Sequence, residues 1–169
     1  MDTKLTIEQI LIGLRNSGLW NIRSDIMIPN LSYGLLPYEA DFVAITKSGY
    51  MAEVEIKRSW PDFKNDFKKG HNHDAVQVYY FYYCVPESIK DKVLDFLTEK
   101  YADKIMKRPA VLVFDEKGRI KIARYSDGHH GWPYGRHPEK RKLFLEEILK
   151  VARLGQLRYW SLLEKSNKV

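Results

Sequence analysis

The chain has 169 residues, a length that suits one domain with a substantial core. Its formal net charge of +6 and pI of about 9.2 favour an acidic partner such as nucleic acid, although charge alone does not prove one. The single cysteine, Cys84, excludes a disulfide framework and a multi-cysteine metal cluster. No apolar run is long enough to span a membrane, and the N-terminal residues lack a signal-peptide core. The expectation is a soluble, cytoplasmic protein.

Hydrophobic periodicity divides the chain into ten predicted helices and strands. In order, these are a helix from residue 7 to a turn at 16–18, strands over 22–31, 40–46 and 50–57, a helix from 59 to 70, a strand over 76–85, a helix around 89–97, strands over 110–114 and 119–124, and a long helix after 138. Two hairpins are combined with a crossover helix that leads to a buried strand. This order predicts an α/β (α+β) domain over 1–169, with a central mixed sheet flanked by helices in three layers.

Local signals support several of these elements. Thr6 and Ser59 are placed to cap the first and second helices. Phe63 and Phe67 lie four residues apart and are expected to face the core. The strand over 76–85 is almost entirely β-branched or aromatic, which is typical of a central strand buried on both faces. Its cysteine is therefore expected to be a buried, inert thiol.

A charged alternation interrupts the strand predicted over 50–57. Glu53, Glu55 and Lys57 occupy every second position, so they share one face of that strand. Asp41 lies near the start of the preceding strand, about as far before the connecting turn as Glu55 lies after it. Antiparallel pairing of the two strands is therefore expected to bring Asp41 close to Glu55.

Two carboxylates at one end of a sheet repel each other unless a cation lies between them. Mg²⁺ prefers oxygen ligands and usually takes one or two carboxylates from a protein, with water and phosphate oxygens completing its shell. Lys57, on the face of Glu55, is placed to orient or deprotonate a water, or to stabilise charge developing at an attacked phosphorus. Asp41, Glu55 and Lys57 together predict metal-assisted hydrolysis of a phosphodiester.

These residues and the elements around them resemble the PD-(D/E)xK nuclease superfamily, and above all its small single-domain members from DNA repair or mobile elements. The resemblance covers residues 36–90. It rests on four ordered segments: Ala40-Asp41-Phe42, Glu55-Ile56-Lys57, Ser59-Trp60-Pro61-Asp62-Phe63 and Tyr79-Tyr80-Phe81-Tyr82-Tyr83-Cys84-Val85-Pro86. The chain departs from the family name at its proline, because Glu39-Ala40 precedes Asp41.

The resemblance implies a restriction-endonuclease-like fold with an αβββαβ core, followed here by a C-terminal hairpin and a long helix. It implies Asp41 and Glu55 as ligands of Mg²⁺ or Mn²⁺, with the backbone carbonyl of Ile56 as a further ligand. It implies Lys57 as the catalytic lysine.

A further acid often completes such sites. Glu8 on the first helix is one candidate, and Glu39 is an equal substitute because it shares the strand face of Asp41. Glu53 is predicted to be an edge or surface acid, and Asp62 a charge at a helix N-terminus.

Nucleic-acid contacts are predicted from polar and basic residues that follow the Glu-x-Lys segment or lie in the Gly-, His- and Pro-rich loop at 126–138. The candidates are Ser59, Lys64, Lys68, Lys69, His73 and Arg136. Such a lysine run is more commonly a solvated helix face, and beside a nuclease site it is expected to bind phosphate. The loop is typical either of a segment that stacks bases and holds phosphates or of a plain connection, and its histidines lack a recognisable zinc spacing.

The expected function is therefore hydrolysis of DNA by a Mg²⁺-dependent nuclease, in repair or restriction, with no membrane partner. Cutting both strands of a duplex would favour a homodimer. One alternative is an inactive nucleic-acid-binding module of the same fold. A third hypothesis is a structural or interaction protein whose charged strand face forms only salt bridges. Binding of a divalent cation separates this last hypothesis from the other two.

Overall fold

The computed structural model describes residues 4–31, 34–68, 75–127 and 140–166. Its helices are α1 Ile7–Asn16, α2 Trp60–Asp66, α3 Lys90–Lys100 and α4 Leu145–Ser166. Its strands are β1 Ile26–Leu31, β2 Ala40–Ile45, β3 Met51–Ile56, β4 Val78–Pro86, β5 Ala110–Phe114 and β6 Ile120–Ile122. Short 3₁₀ turns at Glu87–Ile89 and Ala102–Lys107 flank α3.

One mixed sheet contains all the strands of the described residues, in the order β1-β2-β3-β4-β5-β6. Its first two pairs and its last pair are antiparallel, whereas β4 runs parallel to both β3 and β5. Parallel neighbours need a crossover connection, which α2 and α3 supply. The predicted central, doubly buried strand is confirmed, because nearly every residue of β4 is buried.

Helices cover both faces of this sheet. On one face α1 packs through Ile10 and Leu14 in a core that also contains Trp20. On the other face, α2, α3 and α4 contribute residues such as Phe63 and Val151 to a larger core. The predicted α+β class, with a mixed sheet between helical layers, is confirmed at this level.

The three largest boundary differences from the sequence prediction concern β1, α4 and α2. β1 begins at Ile26 rather than residue 22, because residues 21–25 form a turn in which the Asn21 N–H donates to Asp25 Oδ2. α4 begins at Leu145, because the preceding segment is extended and bonds through the Leu143 N–H to the Gly49 carbonyl. α2 ends at Asp66, and residue 70 lies outside the described residues.

Within the described ranges, no helix combines the length and apolar character needed to cross a membrane.

Candidate active site

The register of β2 and β3 positions the two predicted carboxylates. Phe42 pairs with Val54 in the antiparallel β2–β3 register, and Asp41 and Glu55 are the next residues outward on the two strands. Asp41 Oδ2 accepts a hydrogen bond from the Ile56 N–H at 2.8 Å. The structure therefore brings Asp41 and the Glu55-Ile56-Lys57 segment together at one end of these strands.

Lys57 is buried between two carboxylates. Its Nζ lies 2.9 Å from Glu55 Oε2 and 2.7 Å from Asp66 Oδ1. All three side chains are almost completely buried. The backbone N–H of Lys57 extends the hydrogen bonding between β3 and β4 by donating to the Cys84 carbonyl at 2.9 Å. The lysine is thus held rigidly at the end of β3, where β4 runs alongside.

Asp66 and Tyr83, which are not among the site residues predicted from the sequence, also belong to this cluster. The Tyr83 hydroxyl donates to Asp66 Oδ2 at 2.9 Å. Tyr83 lies directly beside Glu55, because the two residues pair in the parallel β3–β4 register. A helical signal for Asp66 was available, since it falls between Phe63 and Phe67 on the inward stripe of α2.

The surroundings of Lys57 keep it charged. Burial alone lowers the pKa of its ammonium, but the adjacent Glu55 and Asp66 carboxylates outweigh burial and raise the pKa above its ordinary value. A lysine in this state does not accept a proton near neutral pH. It is suited to orienting a water or stabilising negative charge, rather than to deprotonating a water.

At Asp41, burial and neighbouring carboxylates outweigh the groups that stabilise its negative charge. Burial raises the pKa of its carboxyl, and the nearby charges of Asp62 and Asp66 raise it further, against the Ile56 N–H and the Lys57 ammonium. The cluster of Asp41, Glu55 and Asp66 carries three carboxylates against the one ammonium of Lys57. With their ordinary charges, these four groups sum to a formal charge of −2.

The prediction that Glu53 is an edge or surface acid is wrong. Glu53 is fully buried, and its Oε2 accepts a hydrogen bond of 2.8 Å from the Tyr38 hydroxyl. Its strand face is covered by helices, so every alternate position of β3 points into the larger core. Burial raises the pKa of Tyr38, which therefore remains a hydrogen-bond donor.

Neither candidate for the additional acid joins the cluster. Glu8 is exposed on α1, the helix that covers the opposite face of the sheet. A backbone hydrogen bond, the Thr6 side chain and the charge of Arg58 lower the pKa of its carboxyl. Glu39 is exposed, one residue before β2 begins. Helical pattern and strand alternation could not show that Glu8 and Glu39 lie away from the cluster, because the position of each depends on how the chain enters the sheet.

The predicted nucleic-acid contacts have different surroundings. Ser59 caps α2, and its side chain accepts from the Asp62 N–H at 3.3 Å. The Lys64 ammonium lies over the Phe96 ring at 4.0 Å, so it is engaged with the core surface. Lys68 is exposed beyond the end of α2. Lys69, His73 and Arg136 lie outside the described residues, as does most of the 126–138 loop.

The donors at this site fit a hard divalent cation. Asp41 and Glu55 both offer carboxylate oxygens near the end of β2 and β3, and two carboxylates is a number that Mg²⁺ commonly takes from a protein. In the part of the chain that the structure describes, no three His, Cys, Asp or Glu side chains form a larger group able to hold a metal.

Comparison with known proteins informs the fold. No protein-family model matches the chain, and neither does any curated protein. The chain is similar to the solved structure of the SPO1766 protein of unknown function from Silicibacter pomeroyi, with a TM-score of 0.55 and 12% identity. The alignment covers 97% of this chain and 93% of that chain. At this identity the likeness concerns the arrangement of helices and strands alone.

Proposed function

We propose that this protein is a metal-dependent deoxyribonuclease with a restriction-endonuclease-like fold. One observation carries the proposal: Asp41 contacts the Glu55-Ile56-Lys57 segment through the Ile56 N–H at the end of β2 and β3, and the buried Lys57 ammonium is bonded to Glu55. An excess of buried carboxylates is unfavourable in itself, and it is typical of a site that functions with a bound cation.

Asp41 and Glu55 would hold Mg²⁺ or Mn²⁺, with the Ile56 carbonyl as a further ligand. The bound metal would supply Lewis-acid activation of the scissile phosphate and its attacking water. Lys57 would orient that water and stabilise charge on the phosphate oxygens, as its charged state suits it to do. Attack at phosphorus breaks the bond to the 3′ oxygen, which takes up a proton, leaving a 5′-phosphate and a 3′-hydroxyl.

The net charge of +6 supports a polyanionic substrate, and exposed cations such as Lys68 and Arg58 border the segment that carries Lys57. A cytoplasmic setting in repair or restriction fits this proposal. A homodimer that cuts both strands also stays a prediction. Sedimentation velocity measures the oligomeric state that tests it.

The test combines cleavage with metal binding. Labelled single-stranded and duplex DNA would be incubated with the wild type, Asp41→Asn, Glu55→Gln and Lys57→Gln, in Mg²⁺, Mn²⁺ or a chelator. Each variant is expected to lose about 100-fold or more in rate. Calorimetry with Mn²⁺ is expected to detect binding in the wild type and Lys57→Gln, but not in the two carboxylate variants.

Asp95→Asn, an exposed acid on α3, is the matched control and should retain full activity. Near-UV circular dichroism would verify folding, because removing one partner of a buried ion pair is destabilising. Metal binding without cleavage of any DNA would favour the inactive binding module instead. A wild type that binds neither Mg²⁺ nor Mn²⁺ would contradict the proposed function.

A further inference from the structure

The buried cluster contains an acid that the proposed metal site does not use. Asp66 Oδ1 is 2.7 Å from Lys57 Nζ, whereas Glu55 Oε2 is 2.9 Å from the same nitrogen. The Asp66 side chain is 1% exposed. The lysine therefore has two carboxylate partners, of which one belongs to the proposed metal ligands and the other comes from α2.

Asp66 is itself fixed by a tyrosine. The Tyr83 hydroxyl donates to Asp66 Oδ2 at 2.9 Å, so the carboxylate is held at both oxygens. The Tyr83 ring packs against Phe63 at 5.0 Å and Phe67 at 5.8 Å between centroids, on either side of Asp66 in α2. These contacts fix the orientation of α2 relative to β4, and with it the position of the carboxylate.

The two partners of Lys57 would respond differently to a metal ion. A divalent cation at Glu55 repels the neighbouring ammonium and shares the carboxylate that balances it. Asp66 provides a counter-charge that does not depend on Glu55. Without it, Lys57 would be left with a single carboxylate at the moment when that carboxylate turns to the metal.

We propose that Asp66, oriented by Tyr83, is the positioning residue that fixes the Lys57 ammonium in the site independently of Glu55. Its role in the reaction rests on the proposed function: Asp66 holds Lys57 beside the attacked phosphate while Glu55 binds the metal. Its anchoring of the lysine is a property of the metal-free protein and is measurable without any reaction.

The first experiment observes the lysine ammonium groups of ¹⁵N-labelled, metal-free protein by NMR. Exposed ammonium protons exchange rapidly with water, whereas a buried ammonium held by two carboxylates gives a persistent signal. Lys57→Gln assigns that signal. The signal is expected to remain in Glu55→Gln, to disappear in Asp66→Asn and to broaden in Tyr83→Phe.

Two matched controls separate positioning from general loosening. Tyr82→Phe changes the neighbouring buried tyrosine, which faces the opposite core, and Asp95→Asn changes an exposed acid on α3. Both should leave the signal unchanged. Tyr83→Phe keeps every charge of the cluster, so it tests the inference even where Asp66→Asn fails to fold. A signal that survives Asp66→Asn but disappears in Glu55→Gln would make Glu55 the anchor and overturn the inference.

The second experiment measures metal binding and cleavage together. Asp66→Asn is expected to lower kcat by about 10–100-fold, as loss of a supporting residue typically does, with KM for DNA unchanged and Mn²⁺ binding retained. Loss of Mn²⁺ binding to the extent seen in Glu55→Gln would make Asp66 a metal ligand and overturn its positioning role. If the wild type neither binds metal nor cleaves DNA, the proposed function fails, and the ammonium signal alone decides whether Asp66 fixes Lys57.

Discussion

Each charged side chain that is buried in the described part of the chain has a hydrogen-bond or ion-pair partner. Glu53 is fully buried, and its carboxylate accepts a hydrogen bond of 2.8 Å from the Tyr38 hydroxyl. Burying a polar group without a hydrogen bond is costly, and the cost is larger for a charged group. Tyr38 lies just before β2, so a connecting segment of the chain helps to make the buried acid tolerable.

The Tyr38→Phe variant tests this contact. Removing the hydroxyl takes one donor from a buried carboxylate, and we expect the free energy of unfolding to fall by about 1–3 kcal/mol. Urea denaturation of the metal-free protein measures the change. Tyr159→Phe, at an exposed position of α4, is the control and should alter stability by no more than a few tenths of a kcal/mol. Equal stability of Tyr38→Phe and the wild type would contradict the role given to this hydroxyl.

At the scale of elements, the layer formed by α1 depends on a close backbone contact. A Cβ atom on Gly13 would lie 2.1 Å from the carbonyl oxygen of Gly118, in the turn between β5 and β6. Real Cβ atoms do not approach a backbone oxygen so closely, so α1 rests on this turn only because residue 13 has no side chain. Gly118 itself has a φ of +75°, which favours glycine at that turn position.

The Gly13→Ala variant is therefore expected to be destabilised by about 1–3 kcal/mol, because α1 must shift from the turn. In an unobstructed helix the same change is stabilising by about 0.5–1 kcal/mol. Gly155→Ala on α4 is the matched control, since its new Cβ meets side-chain atoms of Ile28, with Cδ1 at 2.8 Å and Cγ1 at 3.0 Å, rather than a backbone oxygen. A lower melting temperature for Gly155→Ala than for Gly13→Ala in thermal denaturation would contradict this explanation.

At the scale of the whole molecule, the net charge of +6 gives a long-range attraction for a polyanion. If DNA is the substrate, its affinity in chelator should fall with salt as counterions are released. The slope of log K against log salt is about −0.9 for each phosphate contacted in a duplex. Fluorescence anisotropy with labelled DNA measures that slope.

Two lysines offer a comparison for this measurement. Lys68→Ala, just beyond α2, is expected to weaken binding and reduce the steepness of the slope by about one contact. Lys92→Ala removes the same charge from the exposed surface of α3 and should have a smaller effect. An affinity that does not depend on salt would contradict electrostatic recognition of DNA.

Local sequence determined much of the architecture. Thr6 caps α1 with Gln9 as its reciprocal partner, and Ser59 caps α2, because capping requires only residues three positions apart. The approach of Asp41 to the segment around Ile56 was predictable for a similar reason. A short turn fixes the register of adjacent antiparallel strands, so equal spacing on each side of the turn brings Asp41 to the end of β3.

The surroundings of those residues were decided by tertiary structure. Tyr83 meets Glu55 through a parallel pairing whose register no local turn fixes, and Asp66 reaches Lys57 only because α2 docks beside β4. Burial of Glu53 follows from the helices that cover its face of the sheet. The sequence by itself determined which residues of β2 and β3 face one another, because turn length and strand alternation are local. Only the tertiary structure decided that the lysine is shared by two acids, because crossover packing joins segments whose separation along the chain leaves no periodic signal.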